Sequence, residues 1–355
     1  MSNLTIALAA LGGVVLAGVI AHGAWQARKA GPKRADEPMR PAADPVEPVL
    51  GGPVRAEPTL DAPPVSTPVI IDAEAPRLPR RAVPRMDALI DTIAPLAVET
   101  PVTGDLALAH LPPSRRAGGK PFLIEGLNAE TGEWEPPVAG QRYGEFQAGV
   151  QLANRTGPIN EIEYSEFVQK VQGFADAIGA LPDFPDMLEA VASGRELDAF
   201  ASQHDAQLAV HLRARSSAWS IGYIQQHAAR HGFVPGLVPG RLVLPSQDDG
   251  APPVLTLGFD AQAALAEDPN RSSVRDVTLS FDVPQTDPAA EPFVAWQASA
   301  QALSLGMDAE IVDDDGRTLG PESFDAIGAE LGRLYEQLAG RELAAGSGAA
   351  RRLFS

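Results

Sequence analysis

His227 and His231 stand four residues apart in "IGYIQQHAARHG". On a helix that spacing puts both imidazoles on one face, which is how a two-histidine metal site begins. The zinc-protease form of the pair needs a Glu directly after the first His, and Ala228 occupies that place. No third ligand is evident nearby, so the pair reads as two polar residues at a helix end. "IVDDDGRTLGPE" sets Asp313, Asp315, Gly316 and Glu322 at positions three, five, six and twelve of a calcium loop. Position one falls on Ile311, whose side chain cannot ligate. An Asp-Gly turn between strand and helix accounts for the same residues. His204 and Asp205 sit side by side at the start of a strand, with no nucleophile marked beside them. Asn154, Arg155 and Asn160 make "LANRTGPIN" polar for a connection between core elements. They read either as a recognition loop or as turn and capping residues. No Gly-rich phosphate loop and no nucleophile elbow occurs. With no cysteine in the chain, disulfides, thiolate nucleophiles and Cys-type metal sites are excluded. The expectation is a non-enzyme, with no cofactor, no metal and no small-molecule substrate.

The 355 residues carry a net charge of -18, so the surface repels nucleic acid and anionic lipid. The exception is a basic cluster, Arg28, Lys29, Lys33 and Arg34, which suits the membrane side of an anchor.

That cluster follows an apolar run. From Leu4 to Ala21 there is no charged side chain, and Leu4, Val14, Val15, Val19 and Ile20 supply much of its hydropathy. About 20 such residues cross a bilayer core of roughly 30 Å as a helix. Trp25 ends the run at the level where an indole favours the headgroups. A cleaved secretory signal has the opposite layout, with the basic residues first. Residues 1–27 are therefore expected to be an uncleaved transmembrane helix. The charge bias places the N-terminus outside and the remainder in the cytoplasm. Residues 28–84 continue as a basic then Pro/Ala-rich linker, in which proline recurs too often for helix or sheet.

Globular patterning starts after Pro84, and it occurs twice. In "FQAGVQLANRTGPINEIEYSEFVQKVQGFADAIGA", Phe146, Ala148, Val150 and Leu152 alternate as in a half-buried strand. Phe167, Val171, Phe174 and Ile178 then recur at helical spacing, and a second helix follows near Met187–Phe200. In the later stretch, Val277, Leu279, Phe281 and Val283 alternate with Thr278, Ser280 and Asp282. A helix with Phe293, Trp296, Ala300 and Leu303, the strand "AEIVD" and a closing helix follow. The spacing predicts two tandem α/β units, 85–203 and 204–340, and a flexible tail, 341–355. Either the units are a degenerate duplication, or common α/β patterning makes them look alike. The fold class expected is α+β, a mainly antiparallel sheet with helices on one face and the other face open.

Three stretches carry a family resemblance. These are "AHGAWQARK" at the end of the apolar run, "HGFVPG" in the last unit, and "VTLSFDVPQ" through "AEIVDDDGRTLGPESFDAIGAEL". With the anchor–linker–domain plan, they resemble the ZipA family of bacterial cell-division proteins, over residues 1–30 and about 204–340. The 85–203 unit has no counterpart in the best-known members. The resemblance implies a single-pass inner-membrane adaptor whose open sheet face holds the C-terminal tail of FtsZ, the tubulin-like division protein. It assigns that face here to Thr278 and Ser280 on one strand and Gln207, Ala209 and His211 on another. The family's groove is mostly apolar and aromatic, whereas these positions are small or polar. A groove between the two units is the alternative location. The alternative function is an adaptor of the same architecture with a different polypeptide or envelope partner.

Overall fold

The computed structural model describes residues 85–248, 250–265 and 273–355. The expected transmembrane helix, with Leu4, Val14, Val15, Val19, Ile20 and Trp25, lies outside the described residues, as do Arg28, Lys29, Lys33, Arg34 and the linker. Among the described residues no helix is long and apolar enough to cross a membrane.

The architecture is α+β, with two antiparallel sheets and their helices. The first unit runs β1 (Asp91–Thr103), α1 (Gly104–His110), β2 (Arg116–Ala117), β3 (Lys120–Asn128), β4 (Trp134–Glu135) and β5 (Arg142–Gln151). A small hairpin, β6 (Ala153–Asn154) and β7 (Gly157–Pro158), leads to α2 (Glu161–Ile178), β8 (Ala180–Pro182) and α3 (Met187–His204). The second unit runs β9 (Gln207–Ala214), α4 (Ile221–Ala229), β10 (Val234–Pro235), β11 (Arg241–Leu244), β12 (Leu255–Gly258) and α5 (Ala261–Ala264). It closes with β13 (Asp276–Asp282), α6 (Pro292–Met307), β14 (Ala309–Val312) and α7 (Pro321–Gly340). Last comes a short helix, α8 (Gly348–Leu353).

The first sheet is ordered β2-β3-β5-β1-β8 and the second β10-β11-β12-β13-β9-β14. Aligning β1 with β9, β3 with β12, β5 with β13 and β8 with β14 puts these four strands in the same order in both sheets, and every pairing among them is antiparallel. The helices correspond as well. α2 ends at Gly179 (φ 71) and α6 at Asp308 (φ 54), both left-handed, and the next residue, Ala180 or Ala309, opens the edge strand. The two units therefore share one topology.

Alternation decides which sheet face is covered. On β13, Val277, Leu279 and Phe281 point inward with Val210 and Leu212 of β9 and Leu255 and Leu257 of β12. Trp296 of α6 lies over them, edge-on to Phe281, and its Nε1 donates to the Leu279 carbonyl at 3.0 Å. In the first unit Phe122, Phe146, Ala148 and Val150 meet Phe167, Val171 and Phe174, which recur on α2 at helical spacing. Each such phenylalanine, fully buried, stabilises the fold by roughly 1.5–3 kcal/mol relative to exposure. All core helices lie on one side of each sheet.

The expected flexible tail is a correction. Residues 341–355 fold back on the first unit, with Ala349, Ala350, Leu353 and Phe354 buried in its core. Ser347 caps α8 by accepting from the Ala350 amide at 3.1 Å. Arg352 forms a two-pronged ion pair with Asp91, at 2.7 and 2.6 Å. Burial pushes the Asp91 carboxyl up, and Arg352 only partly offsets this.

Candidate functional site

The five residues assigned to the second unit's face do lie together. Register pairs Thr278 with His211, Ser280 with Ala209, and Asp282 with Gln207. All are on the side away from Trp296. The face is polar and internally bonded. Gln207 Nε2 donates to Ser280 Oγ at 3.4 Å. Ser280, expected to be open, is only 7% exposed.

His211 is held from two directions. Its Nδ1 is 2.8 Å from Asp276 Oδ1 and its Nε2 is 3.0 Å from Asp314 Oδ1. An ionised carboxylate only accepts, so both bonds together require a doubly protonated ring. Burial pushes the imidazole down, but the hydrogen bonds and charges of Asp276 and Asp314 outweigh it, and the net direction is up. Asp314 belongs to the turn after β14. That turn also covers the sheet edge, since the Leu319 amide donates to the Ile311 carbonyl at 3.0 Å and Asp313 to Arg317 at 2.9 Å.

The equivalent positions of the first unit differ at almost every point. Row by row, its open face carries Ile93–Gly149–Leu123, Pro95–Gln147–Glu125 and Ala97–Glu145–Leu127, with Leu181 beside Ala97. The second unit carries Ala209–Ser280–Thr256, His211–Thr278–Gly258 and Arg213–Asp276, with Glu310 beside Arg213. Pro95 replaces His211, Ala97 replaces Arg213, Leu123 replaces Thr256 and Leu181 replaces Glu310. Leu181 is 73% exposed. Met86 already rests on this face. A Cβ on Gly149 would come within 2.6 Å of the Met86 Sδ, so glycine makes the seat. The Met86 amide donates to Glu125 Oε1 at 3.2 Å, and Gln147 Nε2 donates to Glu125 Oε2 at 3.0 Å.

The polar loop 152–160 is structural. Asn160 caps α2 in a reciprocal box with Glu163. Asn154 accepts from Lys120 Nζ at 2.7 Å, and the same ammonium donates to the Gly157 carbonyl at 2.5 Å and Thr156 Oγ1 at 3.1 Å. Lys120 is 1% exposed, and burial pushes its ammonium down from the ordinary range. Arg155 leaves the loop for the other unit, binding Asp205 and Asp282. Sequence reasoning missed Lys120 and the inter-unit role of Arg155. Their signals were a lysine directly before the apolar run "PFLI" and an arginine in a turn.

The other chemistry-bearing residues do not converge. His227 packs on Tyr223, ring centroids 4.3 Å apart. His204 stacks on Phe200 and bonds its carbonyl, while its neighbour Asp205 faces Arg155. Gly316 (φ 79) makes the turn in the Asp-rich loop, and Arg317 fills the space between Asp313 and Asp315, at 3.0 and 2.5 Å. Glu322 lies in the first turn of α7. Among the described residues no group of three His, Asp or Glu could hold a metal ion. A cavity of about 360 Å3 between β1 and α3 is lined by Thr92, Ser193, Glu189, Glu196 and Arg341, with no histidine to activate either hydroxyl.

No protein-family model matches the chain, and no curated protein matches it.

Proposed function

We propose that the protein is a membrane-anchored cell-division adaptor. It captures the C-terminal tail of FtsZ on an open sheet face and tethers division filaments to the inner membrane. The observation that carries the reading is that both sheets keep all their core helices on one side, leaving a face for a peptide. The apolar run from Leu4 to Ala21, the basic residues after it and the Pro-rich stretch supply the anchor and the reach. The N-terminus faces the periplasm and both units the cytoplasm, by the bias of Arg28, Lys29, Lys33 and Arg34. A peptide groove needs only a few apolar anchors, so a short tail suffices.

Co-sedimentation of the full chain, in mild detergent, with purified FtsZ filaments tests the reading. Pelleting with filaments, abolished by an excess of FtsZ tail peptide, is the expected result. Failure to pellet, together with no binding of the tail peptide, removes FtsZ as the partner. A thiol probe on Ser2→Cys tests the orientation: labelling only after the inner membrane is opened refutes it.

A further inference from the structure

We infer that the turn of the β10–β11 hairpin is a second membrane contact, in which Leu237 and Val238 enter the lipid interface. The inference rests on the adaptor reading for the anchor that holds the second unit near a bilayer.

Scattered exposed aliphatics are ordinary on a protein surface. Those of β10 and its turn are consecutive: Val234, Pro235, Leu237, Val238 and Pro239 are all exposed. Leu237, at 105% of its reference exposure, stands clear of the second core altogether. The turn that carries it is nonetheless firmly closed. The Gly236 amide donates to the Arg241 carbonyl at 2.9 Å, and the Arg241 amide donates back to the Val238 carbonyl at 3.1 Å. Gly240 (φ 79) is buried against the start of α5. Its carbonyl accepts from the Phe259 amide at 2.8 Å, and a Cβ there would come within 2.6 Å of the Phe259 carbonyl oxygen. A well-held turn thus presents two aliphatic side chains to water with no gain to the fold.

Shape, area and charge select the occupant. The turn projects, so it needs a medium it can enter rather than a groove that it would form. Two side chains cover far less than the roughly 800 Å2 per partner of a stable protein interface. They suit a surface near which the chain is already tethered, where a weak contact is raised by effective concentration. The charge is also right. Of the 355 residues 46 are acidic, yet none lies between Asp205 and Asp248, while Arg213, Arg215, Arg230 and Arg241 do. Arg241, directly after the turn, is exposed and has no ion-pair partner among the described residues. Asp260, beside the turn, caps α5 by accepting from the Gln262 amide at 2.9 Å. Further along the same end of the sheet, Asp276 and Glu310 both lie opposite Arg213, Asp308 accepts from Ser216, and Arg215 and Arg275 are exposed. This end is therefore close to neutral in a chain of net charge -18, and the repulsion of anionic lipid by the rest of the surface is lifted here.

The chain has no cysteine, so one introduced thiol carries one probe. An NBD fluorophore is placed on Val238→Cys and, as control, on Gln247→Cys, an exposed position at the opposite end of β11. Each full chain is mixed with phosphatidylcholine–phosphatidylglycerol vesicles, with and without spin-labelled lipid. The expected result is a blue shift and lipid quenching of the Val238 probe, with neither at Gln247. Adding Leu237→Asp to the Val238-labelled chain should lower the docked-to-free ratio about tenfold or more, as removal of a buried leucine implies. Leu237 takes no part in the core, and melting curves matching the parent chain qualify the variant. Should that variant melt lower, Leu237→Gln replaces it, with the same outcomes required. A Val238 probe that lipid neither shifts nor quenches overturns the inference. So does equal quenching at Gln247, or quenching unchanged by Leu237→Asp. A Val238 probe that answers FtsZ filaments but not lipid overturns it too, and makes the turn a protein contact. Flotation with pure phosphatidylcholine vesicles reads the anchor separately. If the unlabelled chain does not float, the anchor falls, and quenching at Val238 in excess anionic lipid still decides the docking.

Discussion

The guanidinium of Arg155 places Nη2 2.6 Å from Asp282 Oδ2 and, on its other side, 2.6 Å from Asp205 Oδ1. Arg155 belongs to the turn of the small hairpin in the first unit. Asp282 ends β13 of the second, and Asp205 caps α3 between them. One fork thus joins three elements from two cores. Burial pushes the Asp282 carboxyl up, and Arg155 counteracts this. The same seam holds Gln285, whose Nε2 donates to the Phe354 carbonyl at 2.5 Å, and Arg351, whose Nε donates to the Gln285 carbonyl at 3.2 Å.

Arg155→Ala should therefore loosen the seam rather than either core. The expected loss is roughly 1.5–3 kcal/mol, typical of hydrogen bonds to charged groups. Calorimetry should resolve one cooperative transition into two. Arg155→Lys should recover only part of the effect, because a single ammonium nitrogen cannot reproduce the side-on pairing of Nε and Nη2 with Asp205 while also holding Asp282. A single unchanged transition in Arg155→Ala would show that the units do not depend on this link.

Arg352→Ala should be more damaging than its place near the end of the chain suggests. It leaves Asp91, whose side chain is fully buried, without its partner. Breaking a buried pair from one side costs about 3–5 kcal/mol. Replacing both residues by leucine should cost less, since no unpaired charge remains. Urea midpoints separate the two cases. Amide exchange across 348–353 should rise in Arg352→Ala, and deleting 341–355 should destabilise the first unit, which a flexible tail would not do.

The reason the tail was illegible is physical. "AAGSGAARRLF" is short and rich in alanine and glycine, so it has no apolar period to read. Its helix is held by contacts to Asp91, Gln151 and the strand β6, far away in sequence. β8 was illegible for a related reason: three residues, one of them proline, cannot display an alternation. The strands with long alternations were readable, and so was their inward set, because Val277, Leu279 and Phe281 must share a side once the strand is granted. Which residues share the open face followed from the same parity. What covers them did not. The burial of Ser280 and the clamp on His211 depend on cross-strand register and on a turn that sequence period does not fix.

The clamp on His211 carries a pH dependence. The folded-state pKa is raised above the ordinary value, about 6.5 in an unfolded chain. Its stabilisation is therefore complete below the unfolded value and is lost as pH rises through the folded one. Above that window a neutral ring can donate from one nitrogen only, so Asp276 or Asp314 loses its partner. Arg213, whose Nε is 3.6 Å from Asp276 Oδ2, remains charged and keeps that carboxylate company. The Asp314 contact is accordingly expected to release first. An NMR titration should place the His211 midpoint above 6.5. Melting temperatures should fall with rising pH by more in the parent chain than in His211→Gln. A midpoint below 6.5 would remove the imidazolium from the account.

Adjacent residues on β13 should respond in opposite ways to one substitution. Leu279 is fully buried among Val210, Leu257 and Trp296, and its carbonyl anchors the indole. Leu279→Lys would bury an unpaired ammonium at a cost of several kcal/mol, comparable with the roughly 5–15 kcal/mol that holds a domain together. The second unit should unfold. Thr278 is half-buried on the open face, its Oγ1 3.4 Å from His211 Nδ1, with the Asp276 carboxylate on the same face of the strand. A lysine there keeps its ammonium in water and beside negative charge, so Thr278→Lys should melt within a few degrees of the parent chain. Ser280→Lys belongs between them. Its position faces away from the helices, yet at 7% exposure the new side chain must displace Gln207 to reach solvent. Circular dichroism melts of the three variants should therefore rank Thr278→Lys above Ser280→Lys above Leu279→Lys. If Thr278→Lys unfolded as readily as Leu279→Lys, the two faces of this sheet would not differ in the way the strand alternation requires.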